Sequence, residues 1–278
     1  MSVSGSEYVG YSGTGTFTQT GDINAVSAHL YLGYSYFGSN PNGTYTLSSG
    51  TLNSPATSVG YNGVGTFTQY GGTFTSAGFI TVGDQGGSSG TFNLYGGTLN
   101  GSTLNVGFTG AYYYSSLFEN YYVNEAVGEF NQTSGTATFA TLILGNQGSF
   151  YVNAYGNYNQ YGGSLSVSGA EYIGQNGDGL FDQTGGRNTL GSGSNLYLGY
   201  NGGSSGTYDL NTSSSVTITL TVPGSVYVGY GGLGTFVQGT DNTSISAGNE
   251  YIGYGATGRF IHPKRRRERG LDRAVSAR

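Results

Sequence analysis

The groups in this chain that could do acid–base or metal chemistry are few. They are His29 and His262, a single basic residue before position 259 (Arg187), and twelve carboxylates over the same stretch. One histidine in the body of the chain, with no cysteine anywhere, is read as too little for a Ser-His-Asp set or a zinc site. Polysaccharide elimination needs a base beside clustered carboxylates, and the one group with that composition is GQNGDGLFDQTGGR at 174–187, with Asp178, Asp182 and Arg187. Its plain reading is turn-capping aspartates and a solvated arginine. Two carboxylates could meet across the fold as a glycosidase pair, but nothing singles out a pair. Asp84 and Asp178 stand isolated, and the regular Gly-Gly-x-Gly-x-Asp calcium repeat is absent. Glu7, Glu171 and Glu250 recur in one Glu-Tyr-aliphatic-Gly context and are read as corner residues that satisfy turn amides. No catalytic, cofactor-binding or metal-binding residue is therefore assigned, no cofactor is expected, and the chain is expected not to be an enzyme.

What must position these residues is a repeat. An aliphatic-Gly pair ends at Gly10, Gly33, Gly60, Gly83, Gly107, Gly145, Gly174, Gly199, Gly229 and Gly253. Each is followed by an aromatic: Phe17, Tyr45, Phe67, Phe92, Phe130, Tyr158, Phe181, Tyr208, Phe236 and Phe260. Two residues beyond most aromatics stands Gln or Leu, as in Gln19, Leu47, Gln69, Leu94, Gln132, Gln160, Gln183, Leu210 and Gln238. A third apolar run supplies Ile23, Leu52, Phe74, Leu99, Leu165 and Ile245. Strand period is two, so the aliphatic, aromatic and Gln/Leu positions share an inner face. The glutamines are expected to bond to their copies above and below, offsetting their desolvation. Three short strands on a ~24-residue period predict an all-β parallel β-solenoid of about ten coils, right-handed by the usual preference of parallel crossovers. A propeller is the competing all-β reading, with pairs of units as blades.

Composition narrows the partners. Glycine is 54 of 278 residues and charged residues only 8%, while Tyr 26 and Phe 14 in fixed register argue against disorder. The net charge of −5 divides into an acidic body and a basic end, because eight of the nine Lys and Arg lie in 259–278. Such a body should not bind nucleic acid or anionic membranes through charge. No stretch approaches the ~18 apolar residues of a membrane span, so no membrane insertion is expected. No signal peptide is visible, and MSVSGSEYVG resembles SLSVSGAEYIG at 164–174, the middle of a repeat. The chain is accordingly expected to be a piece of something longer, or to lack its first cap.

Units such as EYVGYSGTGTFTQTG at 7–21 and LYLGYNGGSSGTYDL at 196–210 resemble the Gly-rich β-strand repeats of bacterial surface proteins. These are autotransporter-type passengers and the repeat proteins associated with PEP-CTERM tails. The resemblance covers roughly residues 1–260. It implies a secreted or surface-displayed solenoid, extracellular or at the cell surface.

The domain reading is a Gly/Tyr-rich repeat domain at 1–258 with an insert loop at 111–126, then a basic non-repeat tail at 259–278. The insert is read as packing its aromatics on the rod, with ligand or glycan contact as the functional alternative. The tail, RFIHPKRRRERGLDRAVSAR, can be encoded by codons that give Gly-Ser-Phe-Thr-Gln-Ser-Gly-Gly in another frame, so it is read as a frameshifted repeat or a basic interaction tail. The expected function is a non-enzymatic structural or adhesive segment, with glycans or cell-surface components as partners. The alternatives are a polysaccharide-binding or polysaccharide-processing β-helix, and an ice-binding solenoid suggested by Thr16/Thr18, Thr44/Thr46 and Thr66/Thr68. Open terminal coils predict end-to-end self-association, worsened by removing 259–278.

Overall fold

The structure, a computed structural model, describes residues 1–35, 40–110, 125–147, 153–211, 217–239 and 242–262. The expected insert is outside the described residues except for Glu125 and Ala126, and Ala126 is buried at the start of the strand Ala126–Gln132. Of the tail, Arg259 to His262 are described, and the strand Gly258–Ile261 continues the ladder.

The chain is all-β. Among the described residues it forms one continuous parallel sheet of 23 strands wound as a β-solenoid of about nine turns. The ten aromatics are the rungs that bound those nine turns. They pair in register from Phe17 through Tyr45, Phe67, Phe92, Phe130, Tyr158, Phe181, Tyr208 and Phe236 to Phe260. Their rings stack along the rod, at 4.6 Å for Phe67 on Phe92 and 5.0 Å for Phe236 on Phe260. That is the spacing of hydrogen-bonded strands, so ring stacking and backbone pairing reinforce one another.

Each turn has a first strand such as His29–Tyr34, a second such as Val64–Gln69, and a third such as Ser164–Val167. Some run together: Asn42–Tyr61 carries a second strand, a third and the next first strand. The aliphatic column from Val9 to Val228 is buried, and Ile252 at the last turn is exposed. The corner after each aliphatic needs glycine. At Gly60 the backbone is left-handed (φ 79°) and a Cβ would fall on the Ser89 carbonyl of the next turn.

Two expectations about the interior are corrected. Ile23 points outward, 57% exposed, and Asn24 takes the inner place of the third strand, paired with Leu52 through a register shift. Asn24 wins that place because its amide serves Glu7 and Tyr45, which Ile23 could not do. The glutamines, second, do not form a simple Gln-on-Gln ladder. Most of the Nε2–H groups instead donate to a corner carbonyl of their own turn and to one in the next: Gln132 to Gly135 (3.3 Å) and Ser164 (3.0 Å), Gln183 to Gly186 (3.4 Å) and Thr219 (3.1 Å), while Gln160 reaches the Arg187 carbonyl at 2.9 Å. Among the described residues the one Gln–Gln contact, from Gln160 to Gln132, is long at 3.4 Å. Gly135 and Gly186 already accept the backbone N–H of Ser164 and Thr219, so each glutamine amide fills the second lone pair of a corner carbonyl.

Candidate functional surface

The outer face of the first strands is a column in register: Tyr8, Tyr31, Ser58, Thr81, Asn105, Ile143, Tyr172, Tyr197, Tyr227 and Tyr251. Beside it, just past the corner glycine, runs a second set of tyrosines. Near one end Tyr11, Tyr34 and Tyr61 stack at 5.2 and 5.0 Å, and near the other Tyr200, Tyr230 and Tyr254 stack at 5.0 and 5.2 Å. The two sets meet edge to face, as in Tyr227 against Tyr230 at 5.3 Å and 84°. The Tyr-aliphatic-Gly-Tyr spelling does this, since two tyrosines flanking an inward aliphatic and a left-handed glycine both emerge on the outside. Stacked rings cover one another's faces, so the surface shows phenolic edges and hydroxyls to solvent. Burial, and after it the charges of Tyr61, Tyr8, Tyr34 and Asp84, pushes the Tyr31 hydroxyl up to about 12, so this phenol stays neutral.

Past the first tyrosine patch the outer face turns polar and buried at Ser58 and Thr81. His29 Nε2 lies 2.9 Å from Ser58 Oγ, and Ser58 donates to Asp84 Oδ2 at 2.6 Å. Gln85, left-handed at φ 87°, donates to Asp84 Oδ1 at 3.0 Å. Because the serine proton goes to Asp84, His29 must donate its Nε2–H to Ser58. His29 also stacks on Tyr31 at 3.8 Å and meets Phe79 edge-on at 5.6 Å. Burial lowers the His29 imidazole to about 4 and raises the Asp84 carboxyl to about 6, the latter resisted by its bonds from Ser58 and Gln85. A His, a Ser and an Asp are thus brought together, which the histidine count alone had argued against. The order is not that of a nucleophilic set, because serine sits between the other two and is fully buried. Its plain role is to clip three successive turns. The signal was present in the repeat columns: positions 29, 58 and 84 fall on neighbouring turns once the aliphatic-Gly pairs are aligned.

The candidate group around Arg187 is not assembled. Arg187 and Asp178 are exposed at strand starts, and no ion pair between described residues joins Arg187 to either aspartate. Asp178 is raised by burial and then by Glu125, and Asp182 by burial and then by Asp209, its register neighbour. A nearby guanidinium would have pulled both down. His262 is exposed at the far end of the described chain.

The glutamates also depart from expectation. Glu7 and Glu171 are not corner residues capping amides; both are buried on the inner face. Asn24 Nδ2 donates to Glu7 Oε2 at 2.9 Å, and Asn188 Nδ2 donates to Glu171 Oε2 at 3.1 Å. Burial raises both carboxyls, Glu171 to about 8. Glu250, in the last turn, is exposed.

The second strands carry the threonines on the outside as expected. Thr16, Thr44, Thr66 and Thr91 are in register, as are Thr18, Thr46 and Thr68, which give way to Asn93. From there asparagines ladder the rod, Asn131 donating to Asn93 at 3.1 Å and Asn159 to Asn131 at 2.9 Å. Among the described residues no three His, Asp or Glu come together as a metal cluster, and no helix is long and apolar enough to cross a membrane. No family model, no curated protein and no solved structure matches the chain.

Proposed function

We propose that the chain is a non-enzymatic structural or adhesive segment of a secreted or surface-displayed protein, contacting glycans or other cell-surface components. The observation that carries this reading is the double tyrosine array, whose residues lie outside the core. Phenolic edges fixed at strand spacing offer hydroxyls and ring C–H groups to a neutral polar ligand. The body supplies almost no positive charge for nucleic acid or anionic membrane. A glycan array tests the reading with the parent chain and a Tyr197→Ser/Tyr227→Ser double variant. Binding lost in the variant supports it; binding that survives places the contact elsewhere.

Two alternatives have their own observations. Polysaccharide processing would draw on the carboxylates, and turnover of a polysaccharide that vanished in Arg187→Ala would replace the structural reading. Ice binding would draw on the register of Thr16, Thr44, Thr66 and Thr91. Thermal hysteresis reduced by Thr66→Asn would support it. End-to-end association with a second copy would lengthen such a rod, and light scattering at micromolar concentration reads it directly.

A further inference from the structure

The buried glutamates belong to two copies of one constellation. Glu7 is followed by Phe17, Gln19 and Asn24; Glu171 is followed at identical intervals by Phe181, Gln183 and Asn188. In each copy a tyrosine from the next turn completes the network. Tyr45 donates to Gln19 Oε1 at 2.6 Å and accepts from Asn24 at 3.1 Å; Tyr208 donates to Gln183 Oε1 at 2.7 Å and accepts from Asn188 at 3.2 Å. In each copy the same two atoms are left over. Glu7 Oε1 with Asn24 Oδ1, and Glu171 Oε1 with Asn188 Oδ1, are buried acceptors that receive no hydrogen bond.

Two orphaned acceptors on planar groups already joined by one N–H···O bond lack a single donor. Desolvated oxygens without a donor are costly, and a carboxylate charge in this setting more so. Among the described residues nothing opposite in charge faces Glu171: its register neighbours are Leu142 and Leu196, and the titratable groups around it are the Tyr158 and Tyr208 hydroxyls. Asp178 and Asp182 belong to the outer side of the adjoining strand. Glu7 faces Tyr45 and the amino group of Met1.

The geometry points to a proton-holding rung: Glu171 is a carboxylic acid whose Oε1–H donates to Asn188 Oδ1, closing a two-bond acid–amide ring, and Glu7 with Asn24 is its second copy. The proton comes from solvent as the chain folds and returns when the rung ionises, so the solenoid carries a built-in loosening point for alkaline conditions. The rise of Glu171 to about 8 by burial agrees with this. With the folded value above the ordinary 4.5, the contribution of Glu171 is complete below 4.5. It declines as pH rises through about 8 and is constant beyond. Glu7, beside the Met1 amine, responds less.

The test compares thermal unfolding of the 278-residue parent and of Glu171→Gln across pH. A glutamine amide reproduces both bonds, accepting from Asn188 Nδ2 and donating to Asn188 Oδ1. The variant should melt with the parent near pH 5 and above it near pH 9, removing most of the parent's downward slope. A variant less stable than the parent at both pH values, or a parent without that slope, would overturn the proposal. Infrared spectroscopy of the parent gives a second reading that needs no variant to fold. A carboxylic-acid C=O band present at neutral pH and lost near pH 8 is expected; carboxyl bands that all vanish below pH 6 would also overturn it.

Discussion

The Tyr158 hydroxyl donates to Gln132 Oε1, one turn below, at 2.8 Å, whereas Phe92, in the same rung position, has no hydroxyl to give Gln69. Every tyrosine of the inner aromatic column stands above a glutamine: Tyr45 above Gln19, Tyr158 above Gln132, Tyr208 above Gln183. Where phenylalanine follows Gln69 and Gln160, the amide oxygen below is buried with no donor. Tyr158→Phe should therefore cost about 1–2 kcal/mol, because it leaves Gln132 Oε1 with only the long 3.4 Å contact from Gln160. Phe92→Tyr, which would set a hydroxyl above Gln69 Oε1, should gain about 1 kcal/mol. Urea denaturation of both variants reads this, and equal effects of like sign would refute the pairing.

How far such pairings were legible in the sequence follows from what a fixed spacing can carry. The columns were readable because each rung repeats its residue type, and the aliphatic, aromatic and Gln/Leu positions proved interior. Partners between rungs were not. Asn24 displacing Ile23 depends on Glu7 seventeen residues earlier, and the His29–Ser58–Asp84 chain depends on three residues each ordinary for its own turn. Hydrophobic periodicity cannot see either, because the deciding term is the cost of an unpaired buried polar atom. The recurrence of Glu, Phe, Gln and Asn at identical intervals in two turns was the available signal.

The strand glycines should split into two classes. A Cβ on Gly90 would fall on the Val59 carbonyl oxygen and the Gly83 amide nitrogen, both backbone atoms that cannot turn aside. A Cβ on Gly21 meets nothing within 4 Å. Gly90→Ala should cost more than about 3 kcal/mol or prevent folding, and Gly21→Ala should stay within about 0.5 kcal/mol of the parent. Soluble yield and melting temperature separate the two, and a well-folded Gly90→Ala would mean that the turns are not in this contact.

The outer tyrosines allow packing and recognition to be told apart. Tyr227 stacks between Tyr197 at 5.0 Å and Tyr251 at 4.9 Å, and no described group bonds its hydroxyl. Tyr227→Ala should lose about 1–2 kcal/mol of ring packing. Tyr227→Phe keeps the rings and should stay within about 0.5 kcal/mol. If the array recognises glycans through its hydroxyl edges, Tyr227→Phe weakens binding at unchanged stability. Binding that follows stability alone would make the ladder a structural device.

His29 and Asp84 make opposed demands on pH. The imidazole is lowered from 6.5 to about 4, so burial favours neutral histidine; its contribution is complete above pH 6.5 and lost as pH falls towards 4. The carboxyl is raised from 3.8 to about 6, so burial favours the acid; its contribution is complete below 3.8 and lost as pH rises towards 6. Between about pH 4 and 6 the two slopes cancel in part. Relative to the parent, Asp84→Asn should therefore gain stability with rising pH through that window, with only the histidine slope left. His29→Gln, which keeps a donor for Ser58, should lose stability over the same window. Denaturation midpoints at several pH values check this, and profiles for both variants that run parallel to the parent would show that the pair does not titrate within the folded rod.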